Sequence, residues 1–259
     1  MLCKICDNKS EKRFEGLILG AYAASYYACT SCGFLQVQEP TWLEEAYRCP
    51  INACDTGILH RNERLRESVS VLLYHFFDPK LSYLDFAGGY GIFTRLMRDV
   101  GFDFYWMDKY TDNVFAKGFE YRSQPVGAVT AFEVLEHLAD PVAELQKMLS
   151  LSRNLIFTTQ LLPDPVPSPH EWWYYGIEHG QHISFYTRNS LERLAERFGL
   201  QYYSFRDLHV MTDRQLPRVR LKLAQKGLRS LRLFERLRKK MTSRSNDDMH
   251  FVLSLETKS

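Results

Sequence analysis

A glycine-rich turn preceded by an acidic residue is the clearest chemical pattern in this sequence. Residues 81–91 read LSYLDFAGGYG, which predicts a short strand ending near Asp85, then the turn, then a helix over 92–100. Glycine adopts backbone angles that are closed to other residues and lets a ligand approach the backbone. The first turn of a helix presents free N–H groups. Open α/β sheets bind nucleotide-like ligands at such turns, beyond the carboxyl ends of their strands.

The position of the acid favours a ligand with a cationic end. A nicotinamide dinucleotide fingerprint requires Gly-x-Gly-x-x-Gly, whereas the pattern that starts at Gly89 has Thr94 in its last position. Asp85 would repel a pyrophosphate, but it suits the ammonium and sulfonium charges of S-adenosylmethionine. The alternative interpretation is a turn that only joins a strand to a helix.

Two segments here resemble the class I, Rossmann-like S-adenosylmethionine-dependent methyltransferases. The first motif of that family is an acid followed by x-Gly-x-Gly-x-Gly. Asp85, Gly89 and Gly91 match this motif, and Ala87 replaces its first glycine. Asp108 ends the next predicted strand, roughly 20 residues after the first acid, which is the usual offset of an acid that binds ribose hydroxyls. The resemblance implies that Asp108 holds the hydroxyls of the adenosine; a surface acid that caps the next element is the alternative.

A third segment, 128–138, resembles the fourth strand of the same family and the Glu-Val-Leu-Glu-His run that follows it. The resemblance implies that Phe132 and Glu133 lie near the methionine part of the cofactor. For His137, next to Glu136, we expect a structural role. The alternative is a divalent metal held by these two glutamates and His137, as in some catechol O-methyltransferases.

Six cysteines occur in the first part of the chain, and four of them form two Cys-x-x-Cys pairs: Cys3, Cys6, Cys29 and Cys32. Two such pairs can place four thiolates around Zn²⁺. Four protein ligands leave no position open for water, so we expect a structural zinc site. Disulfides or free core cysteines are the alternatives. Cys49 and Cys54 have no paired spacing and are interpreted as ordinary thiols.

The segment after the fifth predicted strand carries groups that can move protons. Alternating prolines in 163–169 exclude a helix, and four consecutive aromatic residues follow at 172–175. Aromatic side chains can stack on a sugar or ring. The candidate catalytic residues come next: Glu178, His179, His182 and Tyr186.

Residues 181–186, followed by Ser-Leu-Glu at 190–192, resemble a sugar C-methyltransferase family that also has an N-terminal zinc domain. His182 falls on the histidine of that family, and Gln181 replaces its glutamate. We expect His182 to be the general base. A histidine that only hydrogen-bonds its loop is the alternative.

The whole chain has 259 residues, of which 45% are hydrophobic and 25% charged. This is enough for one α/β core with a small appendage. The sequence has no run of 18 apolar residues and no signal-peptide form at its start, so we expect a cytoplasmic protein. The formal net charge of +2 hides a basic segment, 214–244, with twelve Lys or Arg and one Glu. This segment is either a solvated helical face or a surface for phosphates, an anionic membrane or a nucleic acid.

The predicted fold class is α/β, with a Rossmann-like, seven-stranded methyltransferase sheet and a small N-terminal zinc ribbon. The predicted segments are a ribbon (1–40), a helical connector or lid (41–80), and a methyltransferase domain (81–259) with a basic helical insert (213–247). Strands are predicted near 82–86, 103–108, 119–122, 127–132, 154–159, 200–208 and 249–257. Helices are predicted near 91–100, 141–150 and 188–199.

The expected function is methyl transfer from S-adenosylmethionine to carbon or oxygen of a sugar or a similar small molecule, such as a nucleotide-sugar. One alternative is an RNA methyltransferase that uses the ribbon and the basic helix. The other alternative is a non-catalytic module that binds S-adenosylmethionine.

Overall fold

The computed structural model describes residues 1–52, 55–217 and 231–257. The described chain contains a four-stranded sheet and a mixed six-stranded sheet. It forms two compact units. Unit 1 consists of Met1–Ala53, Phe132–Ser150 and Ile156–Arg214, and unit 2 consists of Cys54–Ala131, Leu151–Leu155 and Gln215–Ser259.

The four-stranded sheet belongs to unit 1 and has the order β1-β2-β3-β8. Its strands are antiparallel: β1 (Ser10–Ile18), β2 (Tyr22–Cys29), β3 (Leu35–Val37) and β8 (Ser184–Phe185). Alternate residues of β2, such as Ala24 and Tyr26, are buried among the aromatic side chains of 174–185. The segment predicted as a ribbon therefore shares its hydrophobic core with the aromatic segment.

The six-stranded sheet has the order β5-β4-β6-β7-β10-β9. Its strands are β4 (Ser82–Phe86), β5 (Asp103–Met107), β6 (Val129–Ala131), β7 (Asn154–Thr158), β9 (Gln201–Phe205) and β10 (Leu208–Thr212). The strand β4 is parallel to both of its neighbours, and β9 and β10 form an antiparallel hairpin. The carboxyl ends of β4, β5 and β6 therefore lie at one edge of the sheet.

The helices are α1 (Leu43–Ala46), α2 (Ile58–Phe76), α3 (Ile92–Val100), α4 (Pro141–Leu151), α5 (Arg188–Arg197), α6 (Leu231–Arg238) and α7 (Ser245–Glu256). The helices predicted near 91–100, 141–150 and 188–199 are confirmed as α3, α4 and α5. Thr187 caps α5: its hydroxyl accepts from the amide of Ser190 at 3.0 Å, and its own amide donates to the hydroxyl of Ser190. This reciprocal pair satisfies two amides of the helix start.

The strand predicted at 249–257 is wrong, because this segment forms α7. The alternating apolar residues that suggest a strand, Met249, Phe251 and Leu253, are exposed on the helix. Two acids occupy the first turn of α7, where the helix dipole favours negative charge. One of them, Asp248, accepts hydrogen bonds from Arg95 and Arg98 at 2.6–2.8 Å.

Two other predicted strands also differ. The strand predicted at 200–208 turns at Arg206, whose φ is 69°, and continues as the hairpin β9–β10. The strand predicted at 119–122 is reduced to one bridge between Glu120 and Trp106. Within the described ranges, the predicted seven-stranded sheet is thus a six-stranded sheet.

The predicted basic insert is described only in part, because residues 218–230 lie outside the described ranges, as does Cys54. Its described helix, α6, packs on α2, and Arg66 lies over the ring of Phe234 at 5.2 Å. Over the described ranges, none of the helices combines the length and the apolar character needed to cross a bilayer.

Candidate functional site

The glycine-rich turn after β4 has the backbone geometry expected for a ligand-binding turn. Ala87, Gly89 and Gly91 have φ of 53°, 54° and 83°, which lie in the left-handed region. A Cβ atom on Gly88 would lie 2.7 Å from Oδ2 of Asp85 and 2.8 Å from a ring carbon of Trp106. The turn therefore needs a glycine at 88 for space. At 87 it holds an alanine in a conformation that costs an L-residue about 1–2 kcal/mol.

Asp85 presents a buried carboxyl at the base of this turn. Its oxygens accept hydrogen bonds from the hydroxyl of Thr130 at 2.9 Å and from that of Thr94 at 3.2 Å. Burial raises its pKa to about 7, with a smaller contribution from the charge of Asp108 and against the effect of both hydroxyls. A carboxyl in this state gains stability from a nearby cation.

Asp108 follows β5 and is bonded to the same turn. Its Oδ2 accepts from the amide of Gly89 at 2.9 Å, and its Oδ1 accepts from the amides of Tyr110 and Thr111. The carbonyl of Gly89 accepts from the indole N–H of Trp106 at 2.8 Å. The structure thus brings together the predicted residues Asp85, Gly89 and Asp108, all within unit 2.

The other two predicted cofactor residues, Phe132 and Glu133, follow β6 directly and belong to unit 1. Glu133 has a φ of 53°. The hydroxyl of Thr158 forms hydrogen bonds with both its backbone and its side chain. The amide of Glu133 donates to this hydroxyl at 2.9 Å, and the hydroxyl donates to Oε1 of Glu133 at 2.7 Å.

The four paired cysteines meet in one cluster in unit 1. Their sulfur atoms all lie within 4.8 Å of one another, with Cys3–Cys32 at 3.6 Å and Cys6–Cys29 at 3.5 Å. Four sulfurs at 2.3 Å from one Zn²⁺ would be about 3.8 Å apart. The amide of Ile5 donates to the sulfur of Cys3 at 3.4 Å, which suits a thiolate. The geometry and the donor type therefore fit a tetrahedral zinc ion.

Cys49, which was predicted to be an ordinary thiol, is free and exposed.

A second cluster in unit 1 contains Glu136, His137 and His182. Nδ1 of His182 lies 2.6 Å from the carbonyl oxygen of Tyr174, so this nitrogen carries the proton and donates. The remaining nitrogen, Nε2, then has the lone pair of a neutral imidazole. Burial lowers the pKa of His182 to about 4, against the effect of the Tyr174 carbonyl. His182 is therefore neutral at physiological pH and able to accept a proton or bind a cation.

The other two members of this cluster are also perturbed by burial. The pKa of His137 lies well below its ordinary value because of burial and the neighbouring histidines, against an opposite effect of the Gln181 carbonyl. Nδ1 of His137 lies 3.0 Å from the hydroxyl of Tyr47. Burial, followed by the charge of Glu133, raises the pKa of Glu136 to about 8.

The remaining candidate catalytic residues have different surroundings. Glu178 is exposed, and His179 accepts from the amide of Gln181 at 3.2 Å. Tyr186 is fully buried, and its hydroxyl donates to the carbonyl of Leu135 at 2.9 Å. The side-chain amide of Gln181 donates to the backbone carbonyls of Ala46 and Cys49 at 2.9 and 3.1 Å.

A glutamate at 181 could not donate these two bonds, because an ionised carboxylate only accepts. Gln181 is therefore a structural residue in this chain.

Sequence reasoning missed several residues that shape these sites. Thr130 lies beside Asp85 in the register of the parallel pair β4–β6, so a correct strand alignment would have identified it. Thr94 is the third residue of α3, and the comparison with the dinucleotide fingerprint treats it only as the absence of a glycine. Tyr47 carries no local motif, because its contact with His137 joins residues that are 90 positions apart.

A family model described as a methyltransferase domain matches residues 58–204, which is more than half of the chain. The chain belongs to this methyltransferase family. Membership confirms, at this general level, the prediction of an S-adenosylmethionine-dependent methyltransferase. No curated protein sequence matches this methyltransferase.

Solved methyltransferase structures resemble the chain at low sequence identity. The plantazolicin methyltransferase BpumL, in complex with SAH, is 13% identical over 77% of this chain and 84% of its own, with a TM-score of 0.47. The magnesium protoporphyrin IX methyltransferase of Synechocystis PCC 6803, with bound SAH, is 15% identical over 66% and 94%, with a TM-score of 0.45. TnmH is 16% identical to this methyltransferase, with a TM-score of 0.47. The matched region covers 67% of this chain, and this chain spans only 60% of the length of TnmH.

Proposed function

We propose that this methyltransferase transfers the methyl group of S-adenosylmethionine to a hydroxyl of a sugar-like small molecule. The observation that carries the proposal is the pair of acids on the glycine-rich turn. Asp85 is a buried carboxyl whose donors are hydroxyls, and Asp108 is bonded to the amide of Gly89. One acid would meet the ammonium group of the cofactor, and the other would meet the ribose hydroxyls.

The left-handed backbone of the turn supports the same cofactor. Gly89 and Gly91 take left-handed backbone angles that glycine adopts without strain, and Gly88 leaves room for the side chains of Asp85 and Trp106 beside the turn. A phosphate-bearing dinucleotide fits less well, because Asp85 would repel it. Phe132 and Glu133 are proposed to contact the methionine part, in line with the family resemblance.

His182 is the proposed base for the acceptor. The acceptor O–H proton passes to Nε2 of His182 as the oxygen attacks the methyl carbon. The C–S bond breaks with its electron pair on sulfur, which leaves neutral S-adenosylhomocysteine. A hydroxyl needs such a base, because it is too weak an acid to lose its proton unaided.

Oxygen is the favoured target within the predicted choice of carbon or oxygen. The related C-methyltransferases place a glutamate where this chain has Gln181, and both donors of this amide are committed to backbone carbonyls. Trp173, which is 72% exposed, supports a sugar acceptor because an exposed aromatic ring can stack on one. The catalytic roles of His179, Glu178 and Tyr186 stay predictions.

The cysteine cluster is proposed to hold a structural Zn²⁺. It has the donor set of a closed tetrahedral site, and it lies where β1, β2 and β3 meet. An ion there would stabilise a segment that has few other means of folding alone.

The test combines cofactor binding with turnover. Isothermal titration calorimetry should detect one S-adenosylmethionine bound to each chain, and the absence of binding at millimolar cofactor would reject the proposal. A panel of nucleotide-sugars and methyl glycosides is then incubated with cofactor labelled in the methyl group. His182→Ala should bind the cofactor normally and lose turnover, whereas His170→Ala, a change at an exposed histidine, should retain both.

A further inference from the structure

Glu136 carries a buried carboxyl group that accepts no hydrogen bond from a cationic side chain in the described chain. Its residue is fully buried, and neither carboxylate oxygen has a hydrogen-bond partner of normal geometry in the described chain. The hydroxyls of Tyr174 and Thr159 are close enough only to oppose the rise in its pKa. Burying a charge without a partner is costly. The negative charge of Glu133 lies close enough to raise that cost further.

Two imidazoles face this carboxylate. One nitrogen of His137, one nitrogen of His182 and one oxygen of Glu136 all lie within 4.8 Å of one another. Donors bound to one ion at 2.0–2.2 Å are about 3–4 Å apart, so binding would draw these atoms together by no more than about 1–2 Å. Side-chain rotation can supply a movement of that size.

The outer contacts of the two histidines are those of metal ligands. A ligating histidine usually donates its other ring N–H to a carbonyl, carboxylate or water, which fixes the ring and its tautomer. Nδ1 of His182 donates to the carbonyl of Tyr174, and Nδ1 of His137 is paired with the hydroxyl of Tyr47. The Tyr174 contact leaves Nε2 of His182 for the ion.

We propose that Glu136, His137 and His182 hold one divalent cation of the first transition row. Two imidazoles and a carboxylate, with open positions remaining, suit ions such as Mn²⁺, Fe²⁺ or Zn²⁺. Glu133 adds a second negative charge, which a divalent ion balances. The open positions would be available to acceptor hydroxyls, and coordination lowers the pKa of a bound hydroxyl.

This inference rests on the proposed methyl transfer and modifies one step of it. The ion takes the Nε2 lone pair of His182, so it activates the acceptor hydroxyl in place of the imidazole. The hydroxyl proton then leaves to solvent. Binding of S-adenosylmethionine by Asp85 and Asp108 does not depend on the ion.

The experiment uses the full chain with its cysteine site intact and Mn²⁺ as the probe. Thiolates are poor ligands for Mn²⁺, so the cysteine cluster does not compete. Electron paramagnetic resonance of free Mn²⁺ should show one bound ion for each chain. Pulsed measurements on the bound ion should detect coupling to histidine nitrogen. The isosteric variant Glu136→Gln should lower the affinity for Mn²⁺ more than about tenfold, while His170→Ala should leave it unchanged.

The outcomes separate this inference from the proposed function. It is overturned if the wild type binds no Mn²⁺, if the bound ion has no nitrogen coupling, or if Glu136→Gln binds it as tightly as the wild type. Calorimetry with S-adenosylmethionine is run on the same samples. Cofactor binding without Mn²⁺ binding removes the metal site alone, whereas loss of cofactor binding removes the proposed function. The wild-type spectrum decides the question even if a variant fails to fold.

Discussion

Replacing Asp85 with asparagine separates the role of its charge from its role in packing. The carboxyl is 2% exposed, and burial raises its pKa from an ordinary 3.8 to about 7. One pKa unit corresponds to about 1.4 kcal/mol. Compared with a carboxyl of unshifted pKa, ionised Asp85 therefore lowers the free energy of unfolding by about 4 kcal/mol at pH 8. Asparagine has the same shape without the charge, and the hydroxyls of Thr94 and Thr130 can rotate toward it. After the cost of the altered hydrogen bonds, we expect the apoprotein to gain about 2 kcal/mol at pH 8.

The gain should depend on pH in a defined interval. The carboxyl of the unfolded chain loses its proton near pH 4, and the folded one loses it near pH 7. Between these values the folded chain binds more protons, so the stability of the wild type falls as the pH rises. Below this interval both states are protonated, and wild type and variant should differ little. Above it, the difference in the free energy of unfolding between Asp85→Asn and the wild type should be constant.

Urea unfolding at several pH values measures the difference in stability, and calorimetry measures cofactor binding. If Asp85 meets the ammonium group of S-adenosylmethionine, the variant should bind the cofactor at least about tenfold more weakly at pH 8, a loss of about 1.4 kcal/mol. A variant that is less stable than the wild type at pH 8 would refute the electrostatic reasoning. A variant of unchanged affinity would refute the assigned contact with the cofactor.

Four further changes test the turn, the cysteine cluster and the C-terminal helix. Ala87→Gly should relieve left-handed strain and, after its entropic cost, raise the free energy of unfolding by about 0.5 kcal/mol, as a small rise in melting temperature. Gly88→Ala should lower it by about 1–3 kcal/mol through the two short contacts, and calorimetry should detect weaker cofactor binding. Cys32→Ser should reduce bound zinc, measured by elemental mass spectrometry, whereas Cys49→Ser should not. Asp248→Asn should lower the free energy of unfolding by about 3 kcal/mol, because the buried guanidinium of Arg98 and the partly exposed one of Arg95 lose the negative charge that they share, and limited proteolysis should then cut near α7.

The parts of the fold that were predicted correctly have strong local signals. The strand β4, its glycine turn and α3 follow from small residues between two apolar runs, and α2 follows from apolar residues spaced three and four apart. The cysteine cluster follows from spacing alone, because two Cys-x-x-Cys pairs have few other uses. Such signals can be read from residue types and their spacing along the chain, without knowledge of tertiary contacts.

The parts that were missed depend on distant partners. The alternating pattern of 249–257 is typical of a strand, but the segment is a helix whose first turn is held by contacts of Asp248 with Arg95 and Arg98, some 150 positions earlier in the chain. In the same way, His182 is prominent in the sequence, yet its chemistry depends on Glu136 and on the carbonyl of Tyr174. Periodicity carries no information on such pairs.

Three buried acids of this methyltransferase differ in whether a cationic side chain pairs with them. Asp248 is buried, but hydrogen bonds from Arg98 and Arg95 outweigh that burial and lower its pKa. Asp85 and Glu136 are buried with raised pKa values of about 7 and about 8, and the donors near them are hydroxyls. A buried acid with a purely structural role is expected to pair with a cationic side chain of the same chain. The two acids without such a partner lower the stability of the apoprotein, and a cationic ligand at each position removes that penalty. In the two proposals made above, this ligand is the ammonium group of the cofactor for Asp85 and a divalent ion for Glu136.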